Sequence, residues 1–276
     1  MIRTAVQASA QPPAECPAEA PPLPRWTLKR LVAWVEERFA HTCGRETLRR
    51  VLHRLGLSWK KAKQLLGRAD PLQRAAFVER LQGLLSEASR AARVLVYIDE
   101  AHIHQDVDPG YGWSVRGERH WVCSNSPGLS AKVSFYGVYL YNEGQVDIWP
   151  YPRANGAHTQ DVLARLKARL PGRNITLLWD GAPYHRAQAV QQRADELGIE
   201  VISLPAYSPD FMPVEALWRW LREDVTYHHC QASAQELTDR VEAFRQRVNT
   251  DPCALADRLW VKDHLDPDEE KLRIPK

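Results

Sequence analysis

The sequence predicts an α/β fold, a mixed sheet flanked by helices, preceded by a small all-α domain. Three observations predict it. The first third of the chain is basic and carries only helix-period apolar stripes. Near residue 94 the period switches to that of strands. Beyond residue 156 helix and strand patterns alternate, and a run of strands followed by α-β-α-β-α packs in layers. A chain of 276 residues has room for one large domain or two modest ones. No run approaches the roughly 20 apolar residues that a membrane span needs. The opening MIRTAVQASAQPPAECPAEAPPLP has no apolar core of a secretory leader, so the expected location is the cytoplasm and no membrane partner is expected. The cysteines, at 16, 43, 123, 230 and 253, are odd in number, scattered, and form no C-x-x-C, which argues against both a disulfide framework and a zinc site.

Residues 1–24, rich in Pro and Ala, read as a disordered segment. Residues 25–66 read as a DNA-binding helix-turn-helix domain. Thr27 is placed to cap LKRLVAWVEERFA, in which Leu28, Leu31, Val32 and Val35 recur at helical spacing. After HTCG comes RETLRRVLHRLG, with Leu48, Val51, Leu52 and Leu55 on one face and Arg49, Arg50, His53 and Arg54 on the other. Gly56 stands where a helix end wants a left-handed residue. Between Arg25 and Arg93 there are 16 basic residues against 6 acidic ones, while the rest of the chain has 21 against 28. A basic module on an acidic remainder points to an anionic partner, and a basic second helix suits the major groove of double-stranded DNA. The candidate contacts are Arg45, Arg49, Arg50, His53, Arg54, Lys60, Lys61 and Lys63. The competing reading is an ordinary solvated helical face.

Residues 67–93 read as a helical linker, residues 94–228 as the catalytic domain, and residues 229–276 as a helical extension holding QELTDRVEAFRQRV. Within the catalytic span, VLVYID (94–99), RHWVCS (119–124) and KVSFYGVYLY (132–141) are the expected early strands. HTQDVLARLKARL, HRAQAVQQRADELG and VEALWRWLREDVTY are expected helices, with strands NITLLWD and IEVISLP between them. In pattern, this order of elements resembles the ribonuclease H-like fold.

Three acids fall at element ends. Asp99 closes the first apolar strand, Asp180 closes NITLLWD, and Glu215 lies in the first turn of the helix after YSPDFMP. Sites in open α/β sheets gather beyond the carboxyl ends of strands. Carboxylates converging there resist ionisation unless a cation joins them, and hard cations such as Mg²⁺ accept carboxylate oxygens. Two such ions serve in-line phosphodiester displacement. Two of the acids also have a plainer reading: Asp180 before Gly181-Ala182-Pro183 as a turn former, Glu215 as a partner of Arg219 or of the helix terminus. Glu100 faces away from Asp99 by the period of two, and Asp210, between prolines, reads as structural. His102, His104 and His185 lie near the acids and read as structural histidines.

At these residues the sequence resembles the mariner-type DDE transposases, in particular the bacterial insertion-sequence 630 family. The resemblance runs from about Trp26 to Tyr227 and rests on YIDEAHI (97–103), GYGWSVRGER (110–119), LLWDGAPYHRA (177–187) and LPAYSPDFMPVEALWRWLR (204–222), with 34 residues between Asp180 and Glu215. It implies a catalytic and metal-binding triad at Asp99, Asp180 and Glu215 using two Mg²⁺ ions, with Mn²⁺ as a substitute. It further implies cleavage at terminal inverted repeats, strand transfer into target DNA at TA sites, a homodimer on DNA, and association with the bacterial nucleoid. The chain has Gly181 where the family usually has Asn, and Phe211-Met212 where it usually has Leu-Asn. The alternatives are a transposase-derived DNA-binding regulator and a ribonuclease H-like nuclease without strand transfer.

Overall fold

The computed structural model describes residues 1–8, 26–60, 68–125, 128 and 130–271. They fall into two units, one of the described residues up to 60 together with 267–271, the other of those within 68–266.

The smaller unit is helical. It holds α1 (Ile2–Ala8), α2 (Leu28–Phe39) and α3 (Arg45–Arg54). Thr27 caps α2 by accepting the Arg30 amide at 3.3 Å. After α3 the chain reverses at Gly56, φ +78°, where the Gly56 and Leu57 amides donate to the His53 and Leu52 carbonyls, a Schellman stop that favours glycine. Leu31, Val35 and Leu48 form a small buried core, with Leu52, Trp26 and Trp34 packed on it. The expected two-helix pattern is therefore present. The expectation of disorder over 1–24 does not hold at its start, because Ile2–Ala8 is helical with Ile2 and Val6 against this core. The rest of that span lies outside the described residues.

The larger unit is built on one sheet of β1 (Val94–His104), β2 (Lys132–Leu140), β3 (Gln145–Tyr151), β4 (Ile175–Trp179) and β5 (Ile199–Ser203). The strand order is β3-β2-β1-β4-β5. The β1–β2 and β2–β3 pairs are antiparallel, whereas β4 runs parallel to β1 and β5 parallel to β4. Helices α5 (Gly156–Arg169) and α6 (Gln188–Glu196) cover one face with Val162, Leu163, Leu166, Val190 and Ala194. The other face is covered by α4 (Pro71–Ser89), α7 (Val214–Leu221) and α8 (Ala234–Val248). The chain continues through α9 (Pro252–Arg258), and α10 (Pro267–Lys271) belongs to the smaller unit. A mixed sheet between helical layers, following a helix-turn-helix in the chain, is the α/β arrangement expected for the ribonuclease H-like class.

Several details differ from the sequence reading, the first being that β1 runs on to His104, so Asp99 lies within the strand rather than closing it. RHWVCS is not a strand: it joins no ladder of the sheet and its residues mostly face outward. The third strand is instead QVDIWPY, which its proline disguised. An edge strand tolerates Pro150, since only one side of β3 pairs within the sheet. Asn249, just beyond α8, covers the outer side of β3, accepting the Val146 amide and donating to its carbonyl, both at 2.8 Å. The span expected as a helical linker contains α4, whose Phe77, Val78, Leu81, Leu84 and Ala88 are part of the main core. Likewise α8 of the carboxy-terminal extension sends Leu237, Val241, Phe244 and Val248 into that core.

The loop before α7 is fastened by charge. Arg74 of α4, fully buried, holds both oxygens of Asp210 at 3.0 and 2.8 Å, and Lys262 reaches Asp210 at 2.7 Å. The guanidinium also lies 4.6 Å over the Phe211 ring. Burial opposes ionisation of Asp210, but Arg74 and Lys262 outweigh it and hold the carboxyl well below the usual aspartate range. A depressed folded-state pKa stabilises in full above the ordinary aspartate value and is lost as pH falls toward the folded one. Arg74→Ala should therefore cost about 3 kcal/mol in a urea melt at neutral pH, the cost of breaking a buried pair. The variant should also lose less stability than the wild type between about pH 5 and pH 2. A cost near zero, or an unchanged acid slope, would show that this pair does not anchor the loop.

Candidate active site

Asp99 sits on the central strand, and its surroundings explain its chemistry. Alternation along β1 sends Leu95, Tyr97 and Ala101 to the α4/α7/α8 face, and Asp99 shares that parity. There Trp218 of α7 donates its indole N–H to Asp99 Oδ2 at 2.9 Å. The ring fits because Gly137 stands opposite Asp99 on β2. A Cβ at Gly137 would lie 2.6 Å from the Trp218 ring and 2.9 Å from Val214. Burial first, then the charges of Glu215 and Glu100, push Asp99 up to about 7, against the lowering effect of the Trp218 bond.

Glu215 lies three residues before Trp218 in the same helix and is exposed. One turn of α7 therefore delivers a donor to Asp99 and a second acid within electrostatic reach of it.

Asp180 follows β4. Val94 to Tyr97 pair with Ile175 to Leu178, so Asp99 and Asp180 each stand two places past the last paired residues of these strands. Its side chain is half exposed. Oδ1 accepts the Ala182 amide at 3.0 Å and His185 Nδ1 at 2.9 Å. The His185 bond is the largest cause of a carboxyl held below the usual range.

His185, read from sequence as a structural histidine, is buried and touches two acids. Its Nε2 meets Glu100 Oε1 at 2.9 Å, and Tyr184 donates to Glu100 Oε2 at 3.1 Å. The ring lies flat on Trp179, 4.3 Å between centroids and 1° between planes. Burial alone would lower its pKa, but hydrogen bonds and charge from Asp180 and Glu100 raise it to about 9. Glu100 does face away from Asp99, as the alternation required, yet it rejoins the site through this histidine. Of the other two histidines, His102 pairs with Ser134 Oγ at 2.8 Å and His104 is exposed.

The donor set is hard carboxylate oxygen, which suits Mg²⁺ or Mn²⁺ rather than zinc. Among the described residues no three His, Cys, Asp or Glu side chains gather closely enough to enclose an ion. A cavity of about 520 Å³ lies farther along β1, lined by His102, His104, Asp108, Tyr111, Arg222 and Tyr227, and none of the three acids borders it.

On the helical unit, Arg45, Arg49, Arg50, His53, Arg54 and Lys60 are all exposed. Arg49 is held by Glu46 at 2.9 and 2.8 Å, and Arg50 lies 3.7 Å from the same carboxylate. Lys61 and Lys63 lie outside the described residues.

Sequence reasoning missed Trp218 as a donor, because its spacing placed it on the apolar stripe. The signal available was that a buried indole N–H seeks an acceptor. Replacing that indole by Trp218→Phe should move Asp99 further up from about 7 in a carboxyl-carbon NMR titration. A downward or absent shift would show that the indole does not govern Asp99.

Known proteins resemble this chain. Residues 94–238, more than half of the chain, match the family described as DDE superfamily endonuclease, and residues 23–81 match winged helix-turn helix. The chain is 29% identical over 230 residues to the insertion element IS630 uncharacterized 39 kDa protein of Shigella sonnei, covering 83% of this chain and 66% of that protein. The chain thus spans about two thirds of that relative's length. Among solved structures it is similar to the Mos1 transposase paired-end complex with left transposon end, with a TM-score of 0.60 at 19% identity, covering 89% of this chain and 80% of that one. It is also similar to the Mos1 mariner paired end complex with Mn, with a TM-score of 0.56 at 19% identity, covering 91% and 82%. These likenesses concern the fold.

Proposed function

The chain belongs to the DDE superfamily endonuclease family, and from that premise we propose that it is a transposase of the mariner and insertion-sequence 630 type. It cleaves double-stranded DNA at transposon terminal inverted repeats and joins the freed 3′-hydroxyl to target DNA at TA sites. The observation that carries the reading is the parallel pairing of β1 with β4, whose last paired residues, Tyr97 and Leu178, stand two places before Asp99 and Asp180, with Glu215 acting electrostatically on Asp99.

In this reading Asp99, Asp180 and Glu215 are the catalytic acids and would hold two Mg²⁺ ions, or Mn²⁺ in their place. Bound cations would activate the attacking hydroxyl and stabilise the leaving oxygen. The chain's own part is to present oxygens in fixed directions. Trp218 fixes one oxygen of Asp99. Ala182 and His185 fix Oδ1 of Asp180. The exposed Glu215 reaches outward from the first turn of α7. The ionised form of Asp99, disfavoured by burial and by its acidic neighbours, is the form that a cation stabilises.

The helix-turn-helix supplies the grip on the repeats, with Arg45, Arg49, Arg50, His53, Arg54, Lys60, Lys61 and Lys63 as contacts to phosphates and base edges. Two transposon ends handled together call for a homodimer on DNA. A Mos1 relative is a paired-end complex, which supports this arrangement.

Asp180→Ala should abolish Mg²⁺- or Mn²⁺-dependent cleavage of a cognate terminal-repeat duplex while leaving repeat binding unchanged in a mobility-shift assay. Wild-type cleavage by this variant would sink the assignment. Tight repeat binding by the intact protein without cleavage in either metal would support the regulator instead. The double variant Arg49→Ala/Arg50→Ala should bind the repeat more weakly, with a salt slope shallower by about 2. An unchanged slope would return that helix to an ordinary solvated face.

A further inference from the structure

The Glu100–His185 pair lies outside the triad, and its geometry is too constrained to be incidental. Glu100 is almost wholly enclosed, with 6% of its side chain exposed, and His185 has 1%. A carboxylate removed from water is costly unless its oxygens are met. Here both are met, Oε1 by His185 and Oε2 by Tyr184. Both nitrogens of the imidazole are likewise engaged, at 2.9 Å each, and Trp179 stacks on its face, so the ring can neither flip nor swing without breaking contacts. From this network His185 Nδ1 reaches Asp180, 2.9 Å from Oδ1 and 3.3 Å from the backbone carbonyl. With the Ala182 amide also on Oδ1, the carboxylate plane is set, and among the described residues no hydrogen bond reaches Oδ2.

We propose that Glu100 is a positioning residue that acts through His185 to aim Oδ2 of Asp180 at the divalent cation. The proposal rests on the reading of Asp180 as a cation ligand. Consecutive residues of β1 then serve the two aspartates from opposite faces of the sheet. Asp99 is itself one of them, and Glu100 governs the other through a buried ring. A carboxylate–histidine pair behind a ligand commonly tunes affinity by about 10- to 100-fold when removed.

The test is Mn²⁺ binding by the full chain without DNA, followed by the electron paramagnetic resonance of free Mn²⁺, with thermal melts to establish that each variant is folded. Glu100→Gln keeps size and hydrogen-bonding capacity but removes charge, and His185→Asn removes the ring. Each should weaken Mn²⁺ about tenfold, and the double variant should be no weaker than His185→Asn alone, since Glu100 reaches Asp180 through the ring. Tyr184→Phe, which deletes one hydroxyl, is the variant to use if Glu100→Gln fails to fold, and should weaken Mn²⁺ about threefold, the effect of a single hydrogen bond. Wild-type affinity in the folded variants, or losses that add in the double, would overturn the positioning role. A wild type that binds Mn²⁺ no better than Asp180→Ala would overturn the cation reading itself, and the inference with it.

Discussion

Asp99 brings a carboxylate into the buried centre of a sheet, and much of the larger unit is arranged around meeting that demand. Its oxygen must find a donor, and the donor is an indole on a helix that can approach only where the facing strand lacks a side chain, at Gly137. That helix must then be held at its entry, and the Arg74–Asp210–Lys262 cluster anchors the loop from which it starts. Phe211 packs on Phe77 of the same covering helix, so charge and apolar contact pin the loop together. The core beneath is ordinary; the constraint comes from a single ionisable group that packing alone does not satisfy.

That arrangement also accounts for what was legible in the sequence. The β1, β4 and β5 runs are apolar and bounded by turn residues, and α5 to α8 have clean helical stripes, so their existence followed from period alone. β3 did not, because Pro150 breaks the pattern and an edge strand needs no donor there. RHWVCS imitates a strand in composition but joins no sheet, which a local pattern does not report. α4 and α8 were legible as helices, yet their place in the core depends on contacts far along the chain.

The site divides the same way. Asp99, Asp180 and Glu215 could be named from their places at the expected element ends and from the motifs around them. The groups that steer them could not. Trp218 looked like one more apolar position, Glu100 like a residue facing the wrong way, and His185 like a core histidine. Their roles come from the third dimension, where the loop after β4 carries His185 back to meet both Asp180 and Glu100. The two units differ electrostatically: the smaller one exposes arginines along α3, and the larger one holds acids raised or lowered by specific neighbours at its sheet.

If the carboxylates of Asp99 in β1 and Asp180 just after β4 are ligands of one cation centre, crystals of the full chain soaked in Mn²⁺ should show it by anomalous diffraction. The expected result is a manganese peak bonded to oxygens of both Asp99 and Asp180, lost in crystals of Asp180→Ala. A peak elsewhere on the chain with both carboxylates bare, or an unchanged peak in that variant, would contradict a shared centre.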